Sequence, residues 1–374
     1  MRILISGGGT GGHVYPALAV ADALKKTYEG IEVLYVGSSE GMERDIVART
    51  DLPYRAVDAG QVRGVTPWAL IRNLGKLRRG YQQGRSLLTT WPTDAILVTG
   101  GYVTVPLALA AWRLHIPVMI YLPDLEPGWA IRFMSRFADR IAVSFDEASI
   151  WFPKHKVWTS GYPVRTELFN TDRNSGYELF GLNPAIKTLL VFGGSRGART
   201  INRAVGAILG DLLARYQVIH VSGQLDWEWV NQKRSELAPS LQNRYCAYPY
   251  LHEELPAAFA VADLVVARAG AATLAEWPAM GLPSILVPYP YSGQHQQKNA
   301  DFMVAHGAAV CISDSQLATR LKPVVESLLQ DELELERMGA HARALSRPDA
   351  ARKLASELVR LAQLNKEQHN DTAD

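Results

Sequence analysis

Short apolar runs and amphipathic stretches alternate along most of this chain. In the first half, β-branched runs at residues 2–6 and 32–36 are each followed by a stretch with helical spacing of its apolar residues, at 17–26 and 41–48. Strands that alternate with helices are typical of a parallel sheet covered by helices. The pattern therefore predicts an α/β fold.

The alternation pauses once and then starts again. A polar, turn-rich stretch at residues 168–184 has the composition of a domain junction. A length of 374 residues also favours two domains over one. The further predicted strands lie at 95–99, 118–122 and 140–144 before the junction, and at 188–192, 217–221, 264–267, 284–287 and 308–312 after it.

Both halves begin alike, with an apolar strand, a glycine-rich turn and a helix. We therefore expect two Rossmann-like domains facing a central cleft, formed by residues 1–162 and 163–345. Residues 346–366 are predicted to form a C-terminal helix that packs back on the first domain. The polar residues 367–374 are predicted to be a flexible tail.

Composition and charge exclude several classes of protein. The 39 Lys and Arg are balanced by 37 Asp and Glu, far from the basic excess of a nucleic-acid-binding protein, so no nucleic-acid partner is expected. Two cysteines, Cys246 and Cys311, argue against a disulfide framework and favour a reducing compartment. No signal-peptide pattern precedes the first strand, and Arg113 and Pro117 interrupt the apolar stretch 105–122, which predicts no membrane span.

A glycine-rich loop, residues 7–13 (GGGTGGH), lies between the first predicted strand and the first helix. Glycines there let a ligand approach the backbone, and a helix N-terminus attracts an anion. The loop also matches the dinucleotide fingerprint of dehydrogenases, but the next strand and turn, residues 34–39, supply no acidic residue for a ribose. A tight turn that binds nothing is the structural alternative.

Two more glycine-rich turns follow predicted strands. Residues 193–199 (GGSRGAR) open the second domain and add the hydroxyl of Ser195, while Gly100, Gly101 and Tyr102 follow the strand at 95–99. Ligands of parallel sheets collect at the carboxyl edge, where all three turns lie. The three turns together favour a polar or anionic ligand over three empty turns.

Six short segments are individually modest signals, but their order along the chain is specific. They are 8–13 (GGTGGH), 100–103 (GGYV), 163–165 (PVR), 193–198 (GGSRGA), 268–276 with 281–283 (RAGAATLAE and GLP), and 295–300 (HQQKNA). In this order the segments resemble the MurG family of N-acetylglucosaminyltransferases. The resemblance implies the glycosyltransferase-B fold, with the donor bound mainly by the second domain and the acceptor by the first.

The resemblance also implies a reaction and a set of site residues. The reaction is inverting transfer of N-acetylglucosamine from UDP-N-acetylglucosamine to undecaprenyl-pyrophosphoryl-N-acetylmuramyl-pentapeptide, which forms the second lipid intermediate of peptidoglycan synthesis. Gly100, Gly101 and Tyr102 would lie on the acceptor side. The implied donor-binding residues are Thr10, Gly11, Gly12, Asp124, Arg165, Ser195, Leu251, Ala271, Ala272, Thr273, Leu274, Ala275, Glu276 and Gln296.

One stretch departs from the family pattern. Residues 121–124 are Tyr-Leu-Pro-Asp where the family usually has His-Glu-Gln-Asn, so Asp124 keeps the shape of Asn and adds a charge. The departure favours, as the first alternative, a related glycosyltransferase with a different lipid or small-molecule acceptor. A non-hydrolysing nucleotide-sugar epimerase is another alternative. A binding protein without catalysis is a third, against which the candidate base His13 argues.

Three side chains have chemistry that suits the reaction. The Glu276 carboxylate can accept both ribose hydroxyls, or be a solvated helix carboxylate. Arg165 can neutralise a diphosphate, or form a salt bridge at the junction. His13 is the candidate catalytic base, because a helix N-terminus resists its protonation, or it caps the helix or orients substrate. No Asp-x-Asp motif and no zinc-type spacing occur, so neither a metal nor a cofactor is expected.

A basic amphipathic segment occupies residues 68–81. Leu70, Leu74, Leu77 and Tyr81 recur at helical spacing, which suits a helix lying on an anionic bilayer surface. The alternative is a packed domain helix with a basic solvent face. We expect a cytoplasmic protein associated peripherally with the inner face of the plasma membrane through this segment. The interleaved cations are Arg72, Lys76, Arg78 and Arg79.

Overall fold

The structure, a computed structural model, divides into two compact units. One unit comprises Met1–Arg165 with Arg347–Asp374, and the other comprises Thr166–Ser346. Each unit is built on a parallel sheet connected through helices, so the predicted α/β class with two Rossmann-like domains is confirmed. The residues that the structure describes are 1–61, 66–164, 167–194, 197–291 and 295–370.

Within the described part of the first unit, the strands form a seven-stranded parallel sheet in the order β3-β2-β1-β4-β5-β6-β7. Ser6 at the end of β1 lies opposite Val36 of β2 and Val98 of β4, so these strands end at one edge. The strands are β1 (Arg2–Ser6), β2 (Glu32–Ser38), β3 (Tyr54–Val57), β4 (Ala95–Val98), β5 (Val118–Leu122), β6 (Arg140–Val143) and β7 (Val157–Thr159).

The first helix begins at Gly11, earlier than the apolar spacing predicts. Gly11, Gly12 and Pro16 have low helix propensity, so periodicity alone does not indicate this first turn. Pro16 has no N–H for the carbonyl of Gly12, and the hydroxyl of Tyr162 donates to that carbonyl instead, at 3.4 Å. The first helices are α1 (Gly11–Thr27), α2 (Glu43–Val47), α3 (Pro67–Thr90), α4 (Thr104–Arg113) and α5 (Trp129–Met134), followed by a 3₁₀ helix at Asp146–Trp151.

The second unit repeats the architecture with a six-stranded parallel sheet among its described residues, in the order β10-β9-β8-β11-β12-β13. The central strands are buried on both faces, as continuous apolar runs such as Leu189, Leu190 and Val191 require. The strands are β8 (Thr188–Phe192), β9 (Gln217–Val221), β10 (Tyr245–Tyr248), β11 (Leu264–Ala267), β12 (Ser284–Leu286) and β13 (Ala309–Cys311).

The polar stretch predicted as a junction contains a helix. Asp172 accepts a hydrogen bond from the N–H of Ser175 at 3.0 Å and so caps the N-terminus of this helix, which Gly181 ends with a φ of 64°. The turn-forming residues of the stretch are thus caps. The helices of this unit are α6 (Glu167–Asn170), α7 (Arg173–Phe180), α8 (Arg199–Leu213), α9 (Trp227–Ser235), α10 (Pro239–Gln242), α11 (Leu255–Val261), α12 (Thr273–Met280), α13 (His295–Ala305), α14 (Leu317–Gln330) and α15 (Glu332–Leu345).

The last helix, α16 (Ala350–Asn370), belongs to the first unit. It packs against α1 and β4, and Leu354 and Leu358 are fully buried. The guanidinium of Arg140 in β6 donates to the carboxylate of Glu357 at 2.7 Å. The first unit is therefore discontinuous in sequence.

Candidate functional site

The first glycine loop contacts the glycine turn that follows β4. The N–H of Gly8 donates to the carbonyl of Gly100 at 3.2 Å. A Cβ on Gly101 would lie 2.3 Å from the carbonyl oxygen of Gly8, and Gly101 has a φ of 89°. Since no larger residue fits this approach, the glycines bring the two turns together at the carboxyl edge of the first sheet.

His13 lies in the first turn of α1, over Gly100. A Cβ on Gly100 would lie 2.9 Å from Nδ1 of His13, and this nitrogen is shielded and makes no hydrogen bond to a described residue. Burial lowers the pKa of His13 below its ordinary 6.5, while the Asp124 carboxylate and the backbone carbonyl of Thr99 oppose the shift. The imidazole is therefore neutral at pH 7, the form that a general base requires.

Asp124 follows β5 and places a negative charge near His13. Tyr121 and Leu122, from the same departure in sequence, are buried in the sheet, and the Tyr121 hydroxyl lies 2.6 Å from that of Ser144. Burial, with a smaller contribution from Asp124, raises the pKa of Tyr121. The departure from the family pattern thus adds one charge near His13, at Asp124, whereas Tyr121 and Leu122 belong to the core.

Glu43 of α2 is a residue that the sequence did not predict. It is 1% exposed, and its carboxylate accepts hydrogen bonds from the N–H and hydroxyl of Ser38 at 2.8 and 2.6 Å. It also accepts one from the N–H of Gly9 in the first loop, at 3.3 Å. A Cβ on Gly41 would lie 2.2 Å from the carboxylate oxygens, so that glycine makes room for the carboxylate and was a usable signal in the sequence.

The second glycine loop packs against the end of β9. The N–H of Gly193 donates to the carbonyl of Val221 at 3.3 Å. A Cβ on Gly197, which has a φ of 78°, would lie 2.4 Å from the carbonyl oxygen of Ser222. Helix α8 begins two residues after Gly197, at Arg199. Of the predicted site residues, Ser195 and Arg165 lie outside the described residues.

The predicted donor turn before α12 is held by its own polar groups. The hydroxyl of Thr273 donates to the carbonyl of Gly270. The side-chain amide of Asn299 donates to the carbonyl of Ala269 at 3.0 Å. Glu276 follows on α12 with 7% of its surface exposed, so the alternative of a solvated helix carboxylate is wrong. Ala271 and Ala272 are half-buried, whereas Leu274 and Ala275 are buried.

Arg268 connects this turn with the start of α8. Its guanidinium donates to the hydroxyl of Thr200 at 2.7 Å and pairs with the carboxylate of Asp314 at 2.5 Å. Gln296 of α13 accepts from the N–H of Tyr289 at 2.8 Å, and Leu251 is buried after β10.

The predicted residues thus gather at the carboxyl edge of each sheet. Thr10, Gly11, Gly12, His13, the turn at 100–102 and Asp124 do so in the first unit; the turn at 271–276 and Gln296 do so in the second.

Comparison with known proteins fixes the family. A model of the glycosyltransferase family 28 N-terminal domain matches residues 3–143, and one of the C-terminal domain matches residues 188–354. The crystal structure of Acinetobacter baumannii MurG superposes with a TM-score of 0.73 at 26% identity, covering 96% of this chain and 99% of that one.

A protein of Halalkalibacterium halodurans is 39% identical over 357 residues, which is 95% of this chain and 98% of the relative. It is named UDP-N-acetylglucosamine–N-acetylmuramyl-(pentapeptide) pyrophosphoryl-undecaprenol N-acetylglucosamine transferase. The chain belongs to the MurG family. A MurG relative of the same name from Roseiflexus is 41% identical over 413 residues, 95% of this chain and 94% of its own length. The resemblance and the enzyme class predicted from the sequence are confirmed.

Proposed function

We propose that this enzyme transfers N-acetylglucosamine from UDP-N-acetylglucosamine to undecaprenyl-pyrophosphoryl-N-acetylmuramyl-pentapeptide with inversion at the anomeric carbon. The observation that carries the proposal is the 39% identity, over 95% of the chain, to a relative named for this transfer. The local geometry supports it, because each sheet presents glycine turns suited to a phosphorylated substrate.

The second unit binds the donor in this proposal. The buried Glu276 carboxylate accepts hydrogen bonds from the ribose hydroxyls, and its burial strengthens these bonds. Backbone N–H groups of the loop at 193–197 and the N-terminus of α8 stabilise the charge of the leaving diphosphate. Arg165, Ser195, Leu251 and Gln296 join this set by resemblance to the family.

The first unit supplies the base. The acceptor hydroxyl oxygen forms a bond to the anomeric carbon as the bond from that carbon to the diphosphate oxygen breaks. His13 takes the hydroxyl proton, and UDP leaves with the bonding electron pair. Since the donor linkage is α, one direct displacement gives a β-glycoside. Gly100 lies beside His13, and Gly100, Gly101 and Tyr102 form the acceptor side by resemblance to the family.

Helix α3 is the proposed contact with the membrane that holds the acceptor. Trp68, Ile71 and Leu74 expose 84%, 64% and 53% of their surfaces, on one face of the helix. They differ from the predicted set, because Leu70, Leu77 and Tyr81 are half-buried and Tyr81 packs on the core of the unit. The spacing was correct for a helix, but it selected mostly the face that packs inward. No described helix is long and apolar enough to cross a bilayer.

The basic residues of α3 accompany this apolar face. Arg72, Arg78 and Arg79 are exposed, and Lys76 lies 3.9 Å from the carboxylate of Glu40. Cations beside exposed aromatic and aliphatic side chains suit an anionic lipid surface.

Acceptor-dependent release of UDP tests the function. The purified enzyme is incubated with UDP-N-acetylglucosamine and the muramyl lipid, an unrelated polyprenyl lipid, or no acceptor. We expect UDP release with the muramyl lipid alone and a β-linked product by NMR. An α-linked product would exclude the mechanism, release with the unrelated lipid would favour the alternative acceptor, and product without acceptor would favour an epimerase.

A further inference from the structure

A chain of buried polar side chains in the second unit ends at the first residue of α8. The ring of His220 in β9 lies 2.8 Å from the Tyr245 hydroxyl through Nδ1 and 3.0 Å from Oδ1 of Asn202 through Nε2. The Nδ2 of Asn202 donates to Oδ2 of Asp226 at 2.9 Å. The other carboxylate oxygen, Oδ1, accepts from Nε of Arg199 at 2.8 Å.

The direction of every hydrogen bond in this network is determined. The Nδ2 of Asn202 faces two groups that can only accept, the Asp226 carboxylate and the Ser222 carbonyl, the latter at 2.9 Å. The amide oxygen of Asn202 therefore faces His220, so Nε2 of His220 carries the proton and Nδ1 accepts from Tyr245. Burial lowers the pKa of His220 to about 4, so the ring is neutral at pH 7.

The burial of these groups is unusual for a surface ion pair. Asn202, His220 and Asp226 are 0%, 1% and 5% exposed, while the side chain of Arg199 is 67% exposed. Burying a carboxylate costs several kcal/mol unless it is paired and hydrogen-bonded. The network pairs and hydrogen-bonds the Asp226 carboxylate, and it holds the Nε edge of the exposed Arg199 guanidinium.

Arg199 is held through Nε alone. Its two terminal nitrogens make no hydrogen bond to any residue that the structure describes, and Arg199 is both the last residue of the second glycine loop and the first residue of α8. A guanidinium whose rotation is restricted in this way loses less conformational entropy when it binds an anion with its remaining donors.

We infer that Arg199 contacts the diphosphate of the donor and that Asp226, Asn202 and His220 are positioning residues that aim its guanidinium. The inference rests on the proposed function, because it assigns a further contact to the same donor. A phosphate at the N-terminus of α8 lies where the helix already attracts an anion.

The next arginine on the same helix provides a matched comparison. Arg203 lies one turn further along α8 and stacks on the ring of Trp229, with 3.9 Å between its Cζ and the ring centroid. Arg203 is also exposed, but among the described contacts no buried polar group hydrogen-bonds to its guanidinium. The two arginines therefore differ in their orientation by the buried network.

The test compares the binding of UDP and uridine to the full-length enzyme. Calorimetry gives the dissociation constant for UDP, and an NMR titration gives the weaker one for uridine. Arg199→Met should weaken UDP binding by at least about tenfold, the value of one charge-assisted hydrogen bond, and leave uridine binding unchanged. Asp226→Asn should act in the same direction with a smaller effect, and Arg203→Met should change neither constant.

The ratio of the two constants separates the possible outcomes. Equal loss of uridine and UDP binding in Arg199→Met would mean that the loop is distorted, and unchanged UDP binding would mean that Arg199 does not contact the diphosphate; either result overturns the inference. A wild-type enzyme that binds neither ligand would count against the proposed function instead. Arg199→Lys keeps the charge and loses the Nε contact, so it should bind UDP more tightly than Arg199→Met and less tightly than the wild type.

Discussion

The carboxylate of Glu43 and the N–H of Gly9 are joined by a hydrogen bond of 3.3 Å. Gly9 has a φ of 85°, is exposed and has no atom near the position of a Cβ, so its conformation is not fixed by packing. A buried charge from the next helix therefore holds the loop that precedes His13.

Replacing Glu43 by Gln should disturb this loop. The amide nitrogen would face the N–H of either Ser38 or Gly9, so one donor would meet another donor in a buried site. We expect a loss of about 1–3 kcal/mol in the free energy of unfolding and a lower kcat/KM. Urea unfolding and steady-state kinetics measure both. Asp45→Asn, at an exposed position on the same helix, is the control, and equal behaviour of the two variants would show that the Gly9 contact is unimportant.

The activity should depend on the protonation of His13. Because burial holds its pKa below 6.5, kcat/KM should fall as the pH drops through that lowered pKa, with the inflection below pH 6.5. Asp124 opposes the shift, so Asp124→Asn should move the inflection to still lower pH. Kinetics from pH 4.5 to 8 with the wild type and Asp124→Asn measure this.

His13→Ala removes the base and should lower kcat by roughly 10²-fold or more. His155→Ala, at an exposed position of the same unit, should retain activity. A near-normal kcat for His13→Ala would leave His13 with a structural role.

Acid should destabilise the second unit through His220. The pKa of its ring is about 4 in the folded protein against an ordinary 6.5, so above pH 6.5 both states are neutral. Between these values the unfolded chain binds the proton first, and the free energy of unfolding should fall by about 1.4 kcal/mol per pH unit, to a total of roughly 3 kcal/mol. His220→Gln removes this term, so the difference between variant and wild type in urea unfolding should shrink steadily from pH 6.5 to 4. A constant difference would contradict the prediction.

Membrane binding should depend on the exposed apolar face of α3. Changing Trp68 and Ile71 to Ser removes two side chains that would each contribute about 1.5–3 kcal/mol on burial in lipid. We expect the partition coefficient for vesicles that contain anionic lipid, measured by sedimentation, to fall at least about tenfold. Leu225→Ser, which alters a side chain of the second unit with 75% exposure, is the control. Undiminished sedimentation of the double variant would exclude α3 as the contact.

The strands were predictable where burial on both faces gives an unbroken apolar run. The runs at 118–122 and 188–192 have the bounds found in β5 and β8. Short strands such as β3 and β7 were not predicted, because their sequences are too short and too mixed in polarity to differ from a turn. The helix α7 was concealed for a different reason, since its cap residues are also turn residues.

The glycine turns and the buried Glu276 lie in segments that the sequence singled out. Glu43, Asp226 and His220 were not predicted, because each acts through hydrogen bonds to another element, such as Gly9 for Glu43 and Asn202 for Asp226 and His220. Asn202 and His220, for example, look like ordinary members of an amphipathic helix and a buried strand. Apart from a glycine such as Gly41, which makes room for the Glu43 carboxylate, the sequence pattern does not show which polar residues meet.

The position of α16 has a consequence for biosynthesis. Its buried side chains cover α1, the helix that contains His13, yet they leave the ribosome some 340 residues after it. The second unit, residues 166–346, is synthesised in full before the first can close its hydrophobic surface. The apolar side of α1 therefore stays uncovered until α16 has been synthesised, and a stop codon near residue 349 would leave the helix that contains His13 without this cover.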